Sequence, residues 1–219
     1  MKMELFGLDS EGGCLPLVLL NADEDISRIY ELCRYSGAPE FILAAIGGFD
    51  WNRDLSPWRC DPVFSGGEPF SGEADRYLSE IVHSLLPEIE AELLKVNKRV
   101  SYRVLAGYSL AGLFALYSAF NCDLFAGIVS ASGSLWYPDF PEYVSEHRLS
   151  DNVRKIYLSL GDKEGNTRNP LMKTVDHNTK RIREILSERT DVFFEYNEGG
   201  HFKDPGLRTA KGISRILKI

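Results

Sequence analysis

Nowhere does this chain carry an uninterrupted apolar run of membrane-spanning length, and its first residues, Met1-Lys2-Met3-Glu4-Leu5-Phe6-Gly7, hold no sustained apolar h-region. A cytoplasmic protein with no membrane partner is therefore expected. Cysteine is sparse: Cys14, Cys33, Cys60 and Cys122 lie far apart and form no C-x-x-C pair. Neither a zinc site nor a disulfide framework is indicated, and reduced thiols buried as small hydrophobes are expected. H-E-x-x-H, paired metal ligands at helical spacing, G-x-G-x-x-G and the Walker pattern are all missing, so no metal and no cofactor is implied. Positive charge is outnumbered, 25 basic residues against 32 acidic for a net charge of −7, which argues against nucleic acid or an anionic membrane as a partner. There is no internal repeat, linker or low-complexity segment, and Ser65-Gly66-Gly67-Glu68-Pro69 reads as a loop.

What remains is 219 residues, 44% of them hydrophobic, enough for a single domain over residues 1–219 with a large buried core. Apolar runs at Leu15–Leu20, Phe41–Ile46, Arg103–Ala106, Phe125–Ser130, Lys155–Leu160 and Val192–Tyr196 read as strands covered on both faces, as in a parallel sheet. Any N-terminal antiparallel hairpin must be short, within Met3 to Leu8. The clearest helical pattern runs from Glu73 to Lys95, with a kink expected at Pro87, which removes a hydrogen bond to the His83 carbonyl. Further helices are expected after Leu110, from near Pro170 through Ile185, and from Leu207 to Leu217. Six strands alternating with helices predict an α/β fold: a mostly parallel, doubly wound sheet with helices on both faces. Right-handed crossovers then put every loop that follows a strand on one rim.

On that rim falls Gly107-Tyr108-Ser109-Leu110-Ala111-Gly112, where an apolar strand pattern turns abruptly into a helical one. A nucleophile elbow demands small residues two before and two after its serine, here Gly107 and Ala111, the second where glycine is usual. The alternative is a serine that merely caps the helix. A serine hydroxyl needs a base, and a carboxylate normally holds that base in the right tautomer. Of four histidines, His83 and His177 fall in helical patterns and His147 in a polar connection. His201 follows the last strand directly in Glu198-Gly199-Gly200-His201-Phe202 and so belongs on the rim, as base or as a loop residue capping the last helix. The acid should follow the preceding strand, where Leu160-Gly161-Asp162-Lys163-Glu164 offers Glu164 first and Asp162 second, in the chain order serine, acid, histidine. Asp176 lies within a helical pattern. Donors for an oxyanion are expected at the Leu110 amide, where the helix dipole adds to it, and at Ala22 or Asp23 after the first long strand.

Leu19-Leu20-Asn21-Ala22, Arg53-Asp54-Leu55-Ser56-Pro57-Trp58, Gly72-Glu73-Ala74-Asp75, Leu86-Pro87-Glu88-Ile89, the Ser109 hexapeptide, Ser132-Gly133-Ser134-Leu135-Trp136 and Gly199-Gly200-His201-Phe202 occur in one family's order. From about Leu15 to Phe202 the chain resembles the putative-esterase (esterase D-like, enterobactin-esterase-like) group of α/β-hydrolases. That group includes siderophore, feruloyl and acetyl esterases, S-formylglutathione hydrolases and mycolyltransferases. The resemblance implies an α/β-hydrolase fold and a small-molecule ester substrate. It implies Ser109 as nucleophile, His201 as base and an acid best matched by Glu164, although some siderophore-branch members work with a serine–histidine dyad. It also implies that Arg53 and Trp136 line the substrate pocket with Trp58 nearby; Tyr108 is counted with them. Two departures stand out: Leu-Leu-Asn-Ala where relatives often have Leu-Leu-Asp-Gly, and N-terminal strands that are shortened. A serine esterase is the expected activity, with acyl transfer by the same residues, or a non-catalytic binding relative, as alternatives.

Overall fold

The computed structural model describes residues 2–22, 26–63 and 66–218. Along the chain run strand β1 (Lys2–Phe6), β2 (Cys14–Asn21), helix α1 (Ile26–Tyr35), β3 (Ile42–Gly47), α2 (Trp51–Asp54), α3 (Ala74–Glu80) and α4 (Leu86–Lys95). Then come β4 (Arg99–Tyr108), α5 (Leu110–Asn121), β5 (Gly127–Ala131), α6 (Phe140–Glu146), β6 (Lys155–Gly161), α7 (Val175–Ser187), β7 (Asp191–Asn197) and α8 (Pro205–Leu217). The strands form one sheet in the order β1-β3-β2-β4-β5-β6-β7.

Every strand from β2 to β7 pairs in parallel, as its continuous apolar run predicts. Because side chains alternate along a strand, Leu17 and Leu19 of β2 join one core while Val18 and Leu20 join the other. The first core lies against α3 to α7, and the second against α1 and α8. Helices thus cover both faces.

The first strand differs from the expected hairpin. It lies antiparallel on β3, with Lys2 opposite Gly47 and Phe6 opposite Leu43, and makes a sheet edge instead of folding back on β2. The long helical pattern also divides. A π-helical turn over Ile81–Leu85 separates α3 from α4, and the Leu86 N–H reaches the Ile81 carbonyl. The disruption falls one turn before Pro87, which sits in the first turn of α4 where its missing N–H costs least. Near Pro170 the chain makes only a short 3₁₀ turn, Met172–Thr174, before α7 begins at Val175. The Asn169 side chain accepts from the Leu171 and Met172 amides and so holds that turn. All four cysteines are free, but only Cys33 is buried, and Cys14 is exposed. Burial pushes the Cys33 thiol up to about 12.

Among the described residues, no helix is long and apolar enough to cross a membrane, and no cluster of His, Cys, Asp and Glu could hold a metal ion.

Candidate active site

Parallel winding brings the ends of β2, β4, β5, β6 and β7 to one rim. At the end of β4 the backbone breaks sharply: Ser109 has φ 57° and ψ −121°, a conformation that costs a non-glycine residue about 1–3 kcal/mol. The surroundings over-determine it. The Ser109 N–H bonds the Ala131 carbonyl at 3.1 Å, and the Ser109 carbonyl accepts from the Leu113 amide at 3.1 Å and the Ser134 amide at 2.9 Å. A Cβ on Gly107 would lie 2.3 Å from the Ala111 backbone and 2.7 Å from its Cβ, so the turn closes only because position 107 has no side chain. With that space free, Ala111 fits where glycine is usual, fully buried.

The Ser109 side chain makes no cap to α5. Instead Oγ stands 2.9 Å from His201 Nε2 and 3.3 Å from Ser134 Oγ. On the other side of the ring, His201 Nδ1 lies 2.8 Å from Glu164 Oε2. The residues chosen from sequence as nucleophile, base and first-choice acid thus form one hydrogen-bonded row. Asp162 does something else: its Oδ1 accepts from the Gly199 amide at 2.7 Å and so ties the β6 loop to the β7 loop. Asp176 pairs with Lys180 on α7. His201 does not cap α8, whose N-cap position is Asp204.

Sequence reasoning missed the residue that holds this row. Arg208, on α8, is 2% exposed. Its guanidinium donates to Glu164 Oε1 at 2.8 Å, to Ser132 Oγ at 2.9 Å, and to the carbonyls of Glu198 at 3.0 Å and Gly200 at 2.9 Å. One cation therefore links the acid to the loop that carries the base. The Gly161 amide adds a bond to Glu164 Oε1 at 2.6 Å, and a Cβ at Gly161 would meet the Gly199 carbonyl at 2.4 Å. Burial alone drives the Glu164 carboxyl up. The His201 hydrogen bond and charge, with the Gly161 amide and the Ser132 hydroxyl, outweigh it and leave the carboxyl below its usual range.

Beside Ser109 and His201 opens a cavity of about 310 Å³, lined by Leu20, Asn21, Ala22, Ile29, Trp51, Tyr108, Phe202, Pro205, Gly206 and Thr209 as well. Tyr108 lines it, as the sequence suggested, and its hydroxyl donates to the His201 carbonyl. Arg53, Trp58 and Trp136 are not among the lining residues. Arg53 bonds the buried Asp54 at 2.9 Å. Trp58 packs on Tyr137, Phe140 and Tyr143 and donates to the Pro138 carbonyl, while Trp136, 7% exposed, packs on Phe70 and Tyr137. These three follow the ordinary pull of large aromatics toward a core and of an arginine toward a carboxylate. Of the expected oxyanion donors, Leu110 begins α5, directly after Ser109. The Ala22 amide is taken by the Ile46 carbonyl at 3.2 Å, continuing the β2–β3 ladder, which corrects its placement as a donor. Asp23 lies outside the described residues.

A doubly wound sheet with a strained serine after its central strand and a histidine after its last is an α/β-hydrolase fold. Residues 29–202 match the model of the family described as Putative esterase, and the chain belongs to that family. A curated relative, the uncharacterized protein YbbA of Bacillus subtilis (strain 168), is 27% identical over 152 residues, covering 69% of this chain and 60% of that protein. Among solved structures, siderophore hydrolase EstB of Aspergillus nidulans superposes with a TM-score of 0.74 at 18% identity, over 97% of this chain and 88% of that one. EstA of the same organism gives 0.71 at 20% identity, over 98% and 89%. The enterobactin esterase of Shigella flexneri gives 0.67 at 21% identity, over 99% of this chain and 55% of its own.

Proposed function

We propose that this protein is a serine-dependent carboxylic ester hydrolase. The observation that carries the reading is the row Glu164–His201–Ser109, joined at 2.8 and 2.9 Å, with the serine held on a strained turn beside an open cavity. Family membership and the siderophore hydrolase and enterobactin esterase activities of the structural neighbours support the same class of reaction.

Ser109 Oγ attacks the ester carbonyl while His201 Nε2 takes its proton, so the attacking oxygen never has to carry a free alkoxide charge. Glu164 accepts from Nδ1–H, which leaves Nε2 unprotonated to act as base, and its charge stabilises the imidazolium that forms. As the carbonyl oxygen becomes an oxyanion, the Leu110 amide at the positive end of α5 donates to it. His201 then gives its proton to the departing alkoxide. An acyl group is left on Ser109, and water activated by the same histidine removes it as the acid.

Steady-state hydrolysis of p-nitrophenyl butyrate tests this. Ser109→Ala is expected to lower kcat by roughly 10⁴-fold or more with an unchanged circular dichroism spectrum. Activity surviving in that variant would refute the scheme.

A further inference from the structure

The cavity beside Ser109 has a wall unlike that of a site for charged ligands. Among its described lining residues there is no Asp, Glu, Lys or Arg, and His201 belongs to the reacting row. Its polar side chains are largely turned to the protein: the Tyr108 hydroxyl bonds the His201 carbonyl, and Thr209 Oγ1 bonds the Pro205 carbonyl at 2.9 Å. Asn21 Oδ1 accepts from the Tyr77 hydroxyl at 2.6 Å, and Asn21 Nδ2 is buried with no hydrogen-bond partner among the described residues; the rest of the wall is Leu20, Ala22, Ile29, Trp51, Phe202, Pro205 and Gly206.

Two of these rings face solvent. Phe202 is 92% exposed and Trp51 36%. Such exposure forgoes burial that a large apolar side chain normally gains, and its position at a reacting centre points to a ligand that covers it. Each ring has an aromatic neighbour. Phe202 stands edge-on to the His201 ring at 5.2 Å. Trp51 opens α2, a one-turn helix whose Asp50 cap accepts from the Arg53 amide at 2.9 Å, and the indole stacks on Phe49 at 5.6 Å. Of the cations elsewhere at the rim, Arg208 pairs with Glu164, Arg53 with Asp54 and Glu73, and Lys203 with Glu198.

Resting on the hydrolase reading above, we propose that the substrate is an ester that places an uncharged, apolar group in this cavity, and that anionic and cationic esters are excluded. At about 30 Å³ for a water-sized group, a cavity of about 310 Å³ takes a chain of about ten heavy atoms. Either the acyl or the alkoxy portion can supply that chain, and both are the same chemistry to the wall.

Two substrate series tell them apart: p-nitrophenyl esters from acetate to dodecanoate, and alkyl acetates from ethyl to decyl. In the series that enters the cavity, kcat/KM is expected to rise roughly three- to fourfold per methylene and to level off near ten atoms. Trp51→Ala and Phe202→Ala are each expected to flatten that rise. Calorimetric titration of Ser109→Ala with methyl alkanoates and alkyl acetates measures the same steps in Kd without turnover. Equal Kd values across both series overturn the proposal, as does tighter binding of the hemisuccinate or choline ester than of a neutral ester of equal length. Stepwise binding with no turnover of any ester by the unmodified protein would instead uphold the cavity assignment and remove the hydrolase reading.

Discussion

Ser109, His201 and Glu164 come from loops after three different strands, yet each was readable, because the fold dictates where such groups must lie. A serine between small residues at a strand-to-helix break, a histidine after the last strand and a carboxylate after the one before it follow from topology alone. Arg208 was not readable. On a helix, an arginine ordinarily belongs to the solvated face, and only the packing of α8 against β5 and β6 buries it against Glu164. The tryptophans were ambiguous for the opposite reason, since a core and a pocket demand the same residue type. Arg208 acts as a positioning residue. Arg208→Met is expected to lower kcat with little change in KM and to cost about 3–5 kcal/mol of stability, because it strips a buried carboxylate of its partner. The substitution also removes a positive charge from beside the Glu164–His201 pair, so the acid limb of kcat/KM is expected to move to higher pH. Arg208→Lys should restore part of both. A pH profile unchanged in Arg208→Met would leave the residue a purely structural role.

The β4–turn–α5 unit is the element that holds Ser109 beside His201. Its strain is sustained by bonds from Ser109 to Ala131, Leu113 and Ser134 and by the bare Gly107. Gly107→Ala is expected to destabilise by about 2–4 kcal/mol in denaturant titration, since the added carbon would sit 2.3 Å from the Ala111 backbone. Unchanged stability would mean that the turn relaxes freely. Strands were legible because parallel pairing demands apolar side chains on both faces, and those runs are unbroken. Boundaries were less so. The π turn before Pro87 depends on how the segment meets the core through Ile81 and Leu85, which spacing does not encode. The pairing of β1 with β3 depends on which sheet edge is free, a property of the assembled sheet.

Across the whole molecule, two buried carboxylates make folding depend on acid. Glu164 and Asp54 are each raised by burial, but their hydrogen bonds and neighbouring charges win and hold both below the ordinary carboxylate range. Since the folded values lie below the unfolded ones, this stabilisation is complete above about pH 5 and is lost as pH falls through the folded values. Thermal melting from pH 7 to pH 3 is expected to show Tm falling at the acid end, with a shallower fall in Glu164→Gln and Asp54→Asn. A fall of equal steepness in both variants would assign acid sensitivity elsewhere. At the same scale, the doubly wound sheet with helices on both faces followed from the alternation of strands and helices, whereas the order of the strands and the cavity wall that Trp51, Phe202 and α1 supply are not specified by the strand pattern.

The central claim is that one serine, activated by one histidine, carries the chemistry. Treating the protein with a fluorophosphonate and mapping the adduct by mass spectrometry tests it most directly. The account predicts a single stoichiometric adduct on Ser109, slowed at least a hundredfold in His201→Ala. An adduct on another residue, or labelling of Ser109 that is indifferent to His201, would contradict it.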